Sequence, residues 1–177
     1  TDQSGDISVD GDALPEFTEP GVSAPTDSAL GLTAPTFTGE TFEGESLTIG
    51  NDGRPKAVYF LAHWCEHCQA EVPKVQALID DGQVPEGLDL YAISTALDAS
   101  RGNFPPEAWL EREGWTVPTM KDDNLSSGLR AGGGSSFPYV LYLDSDHNVV
   151  ARSSGELPDA TLLELWQRAV DGESLAQ

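Results

Sequence analysis

The chain predicts an α/β fold built on a mixed sheet, and three observations carry that prediction. Short apolar runs and helical patterns follow one another in the order strand, helix, strand, helix, hairpin, helix, which implies a parallel portion and an antiparallel edge. Two late strands are separated only by Asp144-Ser145-Asp146, a turn that makes them a hairpin. The two cysteines of the chain, Cys65 and Cys68, sit three positions apart where an apolar strand passes into a helix. With 177 residues and 38% hydrophobic content, one domain of ordinary size with an appendage is expected.

The appendage comes first. Residues 1–45 hold ten carboxylates and no Lys or Arg, and residues 1–30 are mostly Asp, Glu, Ser, Thr, Gly and Pro with isolated apolar residues of no sustained period. They are read as an acidic, flexible tail or tether, with a strap packed on the domain through Phe17 as the alternative. The remainder is bounded as one domain at 31–172, followed by a tail at 173–177. Leu30 to Ile49 reads as a short hairpin around Gly39-Glu40, and Asn51 to Pro55 as a turn. Residues 56–62 form a buried strand. The helix after the cysteines carries Val72, Val75, Leu78 and Ile79 at helical spacing, with Pro73 expected to bend it.

Leu88 to Thr95 is the next strand, and Pro105 to Gly114 a short helix with Pro and acid at its start and Gly at its end. Val117 to Met120 is a brief extended piece. Asp122 to Ala131 is expected to be a second short helix capped by Asp122 or Asp123, the paired acids being helix ends on solvated faces. Gly132-Gly133-Gly134-Ser135-Ser136 lacks the Lys of a phosphate loop and reads as a flexible approach to Pro138. Residues 139–143 and 147–151 make the hairpin, and Pro158 to Val170 a closing amphipathic helix with Leu162, Leu165, Trp166 and Ala169 on one side. Trp109, Trp115 and Trp166 are assigned to packing.

The formal net charge of -21 disfavours nucleic acid and anionic membrane surfaces as partners, and no apolar run approaches the ~20 residues of a membrane helix. The numbered chain opens without Met or a signal peptide and is read as a processed or trimmed form.

A bridge between Cys65 and Cys68 closes too small a loop to staple a core, so redox chemistry is the better reason for the pair. Cys65, expected in the first helical turn, gains thiolate character from unpaired N–H groups and the helix dipole, which makes it the nucleophile. Cys68, one turn on, can attack a mixed disulfide on Cys65 and resolve it. Glu66 and His67 between them tune the thiolate in opposite senses, the carboxylate against it and the imidazolium for it. Glu71 lies three residues beyond Cys68, where a partly desolvated carboxylate could exchange a proton with that thiol, the plain alternative being a solvated helix glutamate.

Trp64-Cys65-x-x-Cys68 after an apolar strand, Pro73 five residues on, and Phe137-Pro138 opening a later strand resemble the thioredoxin-like superfamily. The Ala34-Pro35-Thr36-Phe37 hairpin, Cys68-x-x-Glu71-x-Pro73 and the helix inserted at Pro105 to Gly114 are similar to extracytoplasmic TlpA-like and ResA-like thiol-disulfide oxidoreductases. The resemblance implies a thioredoxin fold, with a central mixed sheet flanked by helices, and a redoxin that exchanges disulfides with client proteins outside the cytoplasm. It also implies a membrane or soluble redox partner, no cofactor beyond the Cys65-Cys68 disulfide, and a monomer. Cys65, Cys68 and Glu71 would be catalytic, Pro138 a cis proline, and Phe137, Pro138 and Trp64 would meet the substrate. Phe137 is bulkier than the small or β-branched residue expected there. The alternative is a metal carrier holding copper or zinc through His63, Cys65, His67 and Cys68, although no second ligand pair accompanies them.

Overall fold

The computed structural model describes residues 2–176. In chain order its elements are β1 (Ser8–Asp10), β2 (Gly21–Val22), β3 (Thr36–Glu40), β4 (Ser46–Ile49), β5 (Lys56–Leu61), α1 (Glu66–Asp80), β6 (Asp89–Ser94), α2 (Pro106–Arg112), β7 (Thr119–Lys121), α3 (Ser127–Ala131), β8 (Tyr139–Leu143), β9 (Val149–Ser154) and α4 (Asp159–Asp171). Six strands form one mixed sheet in the order β2-β9-β8-β5-β6-β7; β1, β3 and β4 form a second, smaller sheet. Central β5 pairs in parallel with β6 and antiparallel with β8, so the junction after β5 opens at the middle of the large sheet.

Every residue of β5 is buried because both faces of the sheet are covered. Tyr59 and Leu61 turn to one side, against Val72 and Val75 of α1 and Leu162 and Trp166 of α4; the Trp166 indole N–H donates to the Tyr59 hydroxyl at 2.9 Å. Val58 and Phe60 turn to the other, against Phe37, Leu129, Leu141 and Phe17. Trp109 and Trp166 are buried, as their packing assignment requires, and Trp115 packs its edge on Tyr59.

Residues 2–30 are not a loose tail. They run over the domain as the strap kept as the alternative, and the reason is what the acidic composition conceals. Leu14 and Phe17 are buried, each contributing about 1.5–3 kcal/mol, while most of the carboxylates stay outside. Backbone N–H groups of Leu14, Phe17 and Ser23 donate to Ala131, Gly133 and Arg152 carbonyls at 2.9, 2.8 and 2.8 Å, and β1 adds to β3. Arg152, fully buried on β9, grips both Asp27 oxygens at 2.6 Å, donates to the Pro15 carbonyl at 2.6 Å, and lies 4.8 Å over the Phe17 ring.

Two further expectations change. The helix foreseen from Asp122 begins only at Ser127, and Asp122 is wholly buried rather than solvated. Its carboxylate accepts the N–H groups of Gly128 and Leu129 at 2.9 and 3.1 Å and the Thr95 hydroxyl at 2.7 Å, capping α3 from several residues upstream. The Gly132–Gly134 run is packed, not flexible. A Cβ on Gly134 would sit 2.4 Å from Leu129 Cδ1, and one on Gly133, whose φ is +81°, would sit 2.5 Å from the Pro15 carbonyl.

Candidate functional site

The site forms where β5 hands over to α1. Cys65 is the N-cap of α1, one residue before the expected first turn, with extended backbone angles; its N–H bonds back to Ala62 at 3.1 Å and its carbonyl accepts from Gln69 at 3.0 Å. Cys65 is therefore partly exposed at the helix mouth, whereas Cys68, inside the first turn, is fully buried. Both are free thiols.

Their environments push the two thiols apart. Hydrogen bonding from the Cys68 thiol, helped by the N–H groups of Cys68 and His67 and by the His67 charge, outweighs partial burial and brings Cys65 down from 9.0 to about 6. Burial, together with the bond it gives to Cys65, raises Cys68 well above its ordinary value. One sulfur is thus an accessible thiolate near neutral pH, and the other a protonated reserve beneath it.

Glu71 lies on the buried face of α1, 1% exposed, and its charge helps raise the Cys68 thiol. Burial raises its carboxyl from 4.5 to about 7, against the attraction of Lys74, whose Nζ stands 3.6 Å from Oε1. Oε2 accepts the Leu157 N–H at 3.3 Å, and Oε1 has no hydrogen-bond donor. A buried carboxyl poised near neutrality with a vacant oxygen can take or give a proton.

His67 is exposed and bonds the Glu156 carboxylate through Nδ1 at 3.0 Å, which raises its pKa and favours the imidazolium. Glu66 is also exposed, and its charge contributes to raising His67. Glu66 thus also favours the imidazolium form of His67, whose charge lowers the Cys65 thiol.

Across the mouth, the Phe137–Pro138 bond is cis and the Phe137 carbonyl stands 3.8 Å from Cys65 Sγ, accepting from the thiol when it is protonated. Trp64 covers one side. Its indole N–H donates to the Ala96 carbonyl at 2.8 Å and its ring meets Phe137 edge to face at 5.7 Å.

The metal-carrier alternative fails on this geometry. Buried His63 spends both ring nitrogens inside the protein, Nδ1 with the Gly102 carbonyl at 2.7 Å and Nε2 accepting the Asp98 N–H at 3.2 Å, while His67 turns to Glu156. Among the described residues no three His, Cys, Asp or Glu side chains are grouped to hold a metal ion.

Sequence reasoning missed the Gly155–Leu157 loop, which serves both cysteines at once: Glu156 holds His67, and the Leu157 N–H holds Glu71. It also missed Ala96 and Arg101, which hold Trp64. These segments lie 32 or more residues away from what they touch, beyond any local spacing signal.

A model of the AhpC/TSA family matches residues 26–152. The thiol-disulfide oxidoreductase ResA of Geobacillus thermodenitrificans is 29% identical over 126 residues, covering 70% of this chain and 68% of its own. The methylamine utilization protein MauD of Methylophilus methylotrophus is 27% identical over 126 residues, again 70% of this chain but 54% of its own, so the chain spans about half the length of that relative. A solved thiol:disulfide interchange protein of the thioredoxin family from Chlorobium tepidum superposes with a TM-score of 0.62 at 21% identity, covering 86% of this chain and 98% of that one. The fold is thioredoxin-like.

Proposed function

The chain belongs to the AhpC/TSA family, and we propose that it is a protein thiol-disulfide oxidoreductase working through the Cys65-Cys68 dithiol. The observation that carries this reading is the split between the thiols, Cys65 near 6 at the mouth and Cys68 raised and buried behind it. The oxidoreductase ResA among its relatives supports it.

In the reducing direction, the Cys65 thiolate attacks one sulfur of a client disulfide; a Cys65–client bond forms, the client S–S bond breaks, and the second client sulfur leaves as a thiolate that takes a proton. Cys68 then gives its proton to the Glu71 carboxylate and attacks Cys65 Sγ. The Cys65-Cys68 disulfide forms as the client is released, so the client gains the two electrons the dithiol loses. Oxidation of a client dithiol is the same path reversed. The Phe137 carbonyl beside cis Pro138 offers an acceptor for the client backbone, and Trp64 gives the client an apolar wall. Carrying electrons in its own sulfurs, the protein needs no further cofactor, and a membrane or soluble donor or acceptor resets it. Its likeness to extracytoplasmic ResA-like enzymes supports a place outside the cytoplasm, where client disulfides persist.

Replacing Cys68 by Ser tests this directly. The variant should accumulate a mixed disulfide between Cys65 and a disulfide-bonded client, releasable by dithiothreitol. A wild-type protein that neither exchanges with protein disulfides nor forms its own reversible disulfide in glutathione buffers would end the proposal. The same titration sets direction: a couple near about -270 mV is a reductant, one between about -120 and -180 mV an oxidant or isomerase.

A further inference from the structure

The loop after β6 reaches back over the dithiol. Its Ala96 takes the Trp64 indole N–H, and its Arg101 lays the guanidinium 3.8 Å from the centroid of the Trp64 ring. Trp64 immediately precedes the nucleophile Cys65, so this stack borders the place where a client chain must lie.

The charge on that stack is unusual for this protein. The chain has nine Lys and Arg residues, and every one but Arg101 directs its cationic group to an oxygen acceptor in the protein. Among the described residues no hydrogen bond or ion pair to the Arg101 guanidinium is found; it stacks on the Trp64 face and feels the Asp98 charge only at longer range. Thirty carboxylates surround it in the sequence, yet the closest in the chain, Asp98, turns to the N–H and hydroxyl of Ser100 at 3.0 and 2.6 Å. Stacking leaves the N–H edge of a guanidinium free, and that edge matches a carboxylate in a two-pronged fit. Arg101 is exposed, so the edge faces solvent.

Resting on the oxidoreductase reading above, we propose that Arg101, stacked on Trp64, is a specificity determinant that selects client segments bearing an Asp or Glu close to the reacting cysteine. The overall charge of -21 repels acidic chains at long range, so a cation stacked on the residue next to the reacting cysteine, with its N–H edge open to solvent, decides which acidic clients dock in register and turns away a Lys or Arg at the same position. Arg101 touches no reacting atom. Its effect is on the choice among clients, not on the exchange itself.

The test uses the full chain and short disulfide-linked peptides carrying Glu, Gln or Lys within two residues of the cysteine, with kcat/KM measured at low and high salt. The wild type should favour the Glu peptide over the Lys peptide by roughly fivefold, the scale of an exposed ion pair gained and lost, with the preference shrinking in salt. Arg101→Gln should abolish the preference while leaving the Gln peptide within about twofold, and Arg101→Glu should invert it. The same preference in wild type and Arg101→Gln would overturn the proposal, as would an equal slowing of all three peptides, which is what a mere prop for Trp64 would give. Failure of the wild type to exchange even the Gln peptide would instead sink the oxidoreductase reading, and this inference with it.

Discussion

Replacing Glu71 by Gln separates the buried carboxyl's role from its cost. Burial lifts its pKa from 4.5 to about 7, so the native state resists ionisation that the unfolded chain allows. For a carboxyl with a raised native value, stability is full below the unfolded value and falls as pH rises toward the native one. The wild type should lose about 2.5 kcal/mol between pH 4.5 and pH 7 from this group, most of the roughly 3.5 kcal/mol its displacement is worth at about 1.4 kcal/mol per pH unit, with the rest lost above pH 7. Glu71→Gln cannot ionise, and it keeps an oxygen for the Leu157 N–H; the Lys74 it abandons is a third exposed and loses little. The variant should therefore match wild type in urea at pH 4.5 and exceed it by about 2–3 kcal/mol at pH 8.

Function should move the other way. With rapid-quench trapping, formation of the mixed disulfide should follow a midpoint near 6 in both proteins, that of Cys65. Its decay, which needs Cys68 to lose a proton, should rise through about pH 7 in wild type. In the variant decay should be roughly 100-fold slower near neutral pH and should climb steadily with pH, without levelling off above pH 7, because only solvent then takes the proton from the raised Cys68 thiol. Equal urea midpoints at both pH values, together with unchanged decay, would refute the assignment of Glu71 as a buried proton acceptor.

Other expectations follow from the same contacts. Alkylation of the native reduced protein by iodoacetamide should modify Cys65 with a midpoint near pH 6 and leave Cys68 untouched; a midpoint above 8 would contradict the hydrogen bonding described. Glu156→Gln should raise the Cys65 midpoint by only roughly 0.3 pH unit, because His67 and Glu156 are 64% and 41% exposed, and the effect should vanish in a His67→Gln background. Arg152→Ala leaves Asp27 buried without its partner and should cost about 3–5 kcal/mol in urea, with new proteolytic cleavage in the strap before β3; wild-type stability would mean the strap is not held by this pair. Gly134→Ala forces a Cβ against Leu129 and Tyr139 and should cost about 1–3 kcal/mol by thermal denaturation.

The redox pair and its immediate supports were legible because they are local. Strand formers at 56–62, helical spacing after Cys65 and the three-residue step from Cys68 to Glu71 are all short-range signals, and the structure puts each residue on the side its spacing implies. The N-terminal segment was misjudged for the opposite reason. Its composition is that of a disordered acidic chain, and what holds it is two buried apolar side chains, an Arg from β9 125 residues from Asp27, and backbone hydrogen bonds to β3 and to the Ala131, Gly133 and Arg152 carbonyls. Asp122 looked solvated because Asp usually is, and only the approach of the α3 N–H groups and Thr95 makes its burial tolerable.

By itself, then, the sequence determined the order of the elements, the sheet's parallel and antiparallel parts, and which atoms could carry chemistry, since periodicity and spacing act over a turn or two of chain. The tertiary structure alone decided the state of those atoms. Whether Cys65 is a thiolate, Glu71 a carboxyl poised near neutrality or Arg101 a cation stacked on an aromatic face depends on burial and on groups delivered from loops as far as 89 residues away. Desolvation and hydrogen bonding are properties of a place in space, and only folding assembles that place.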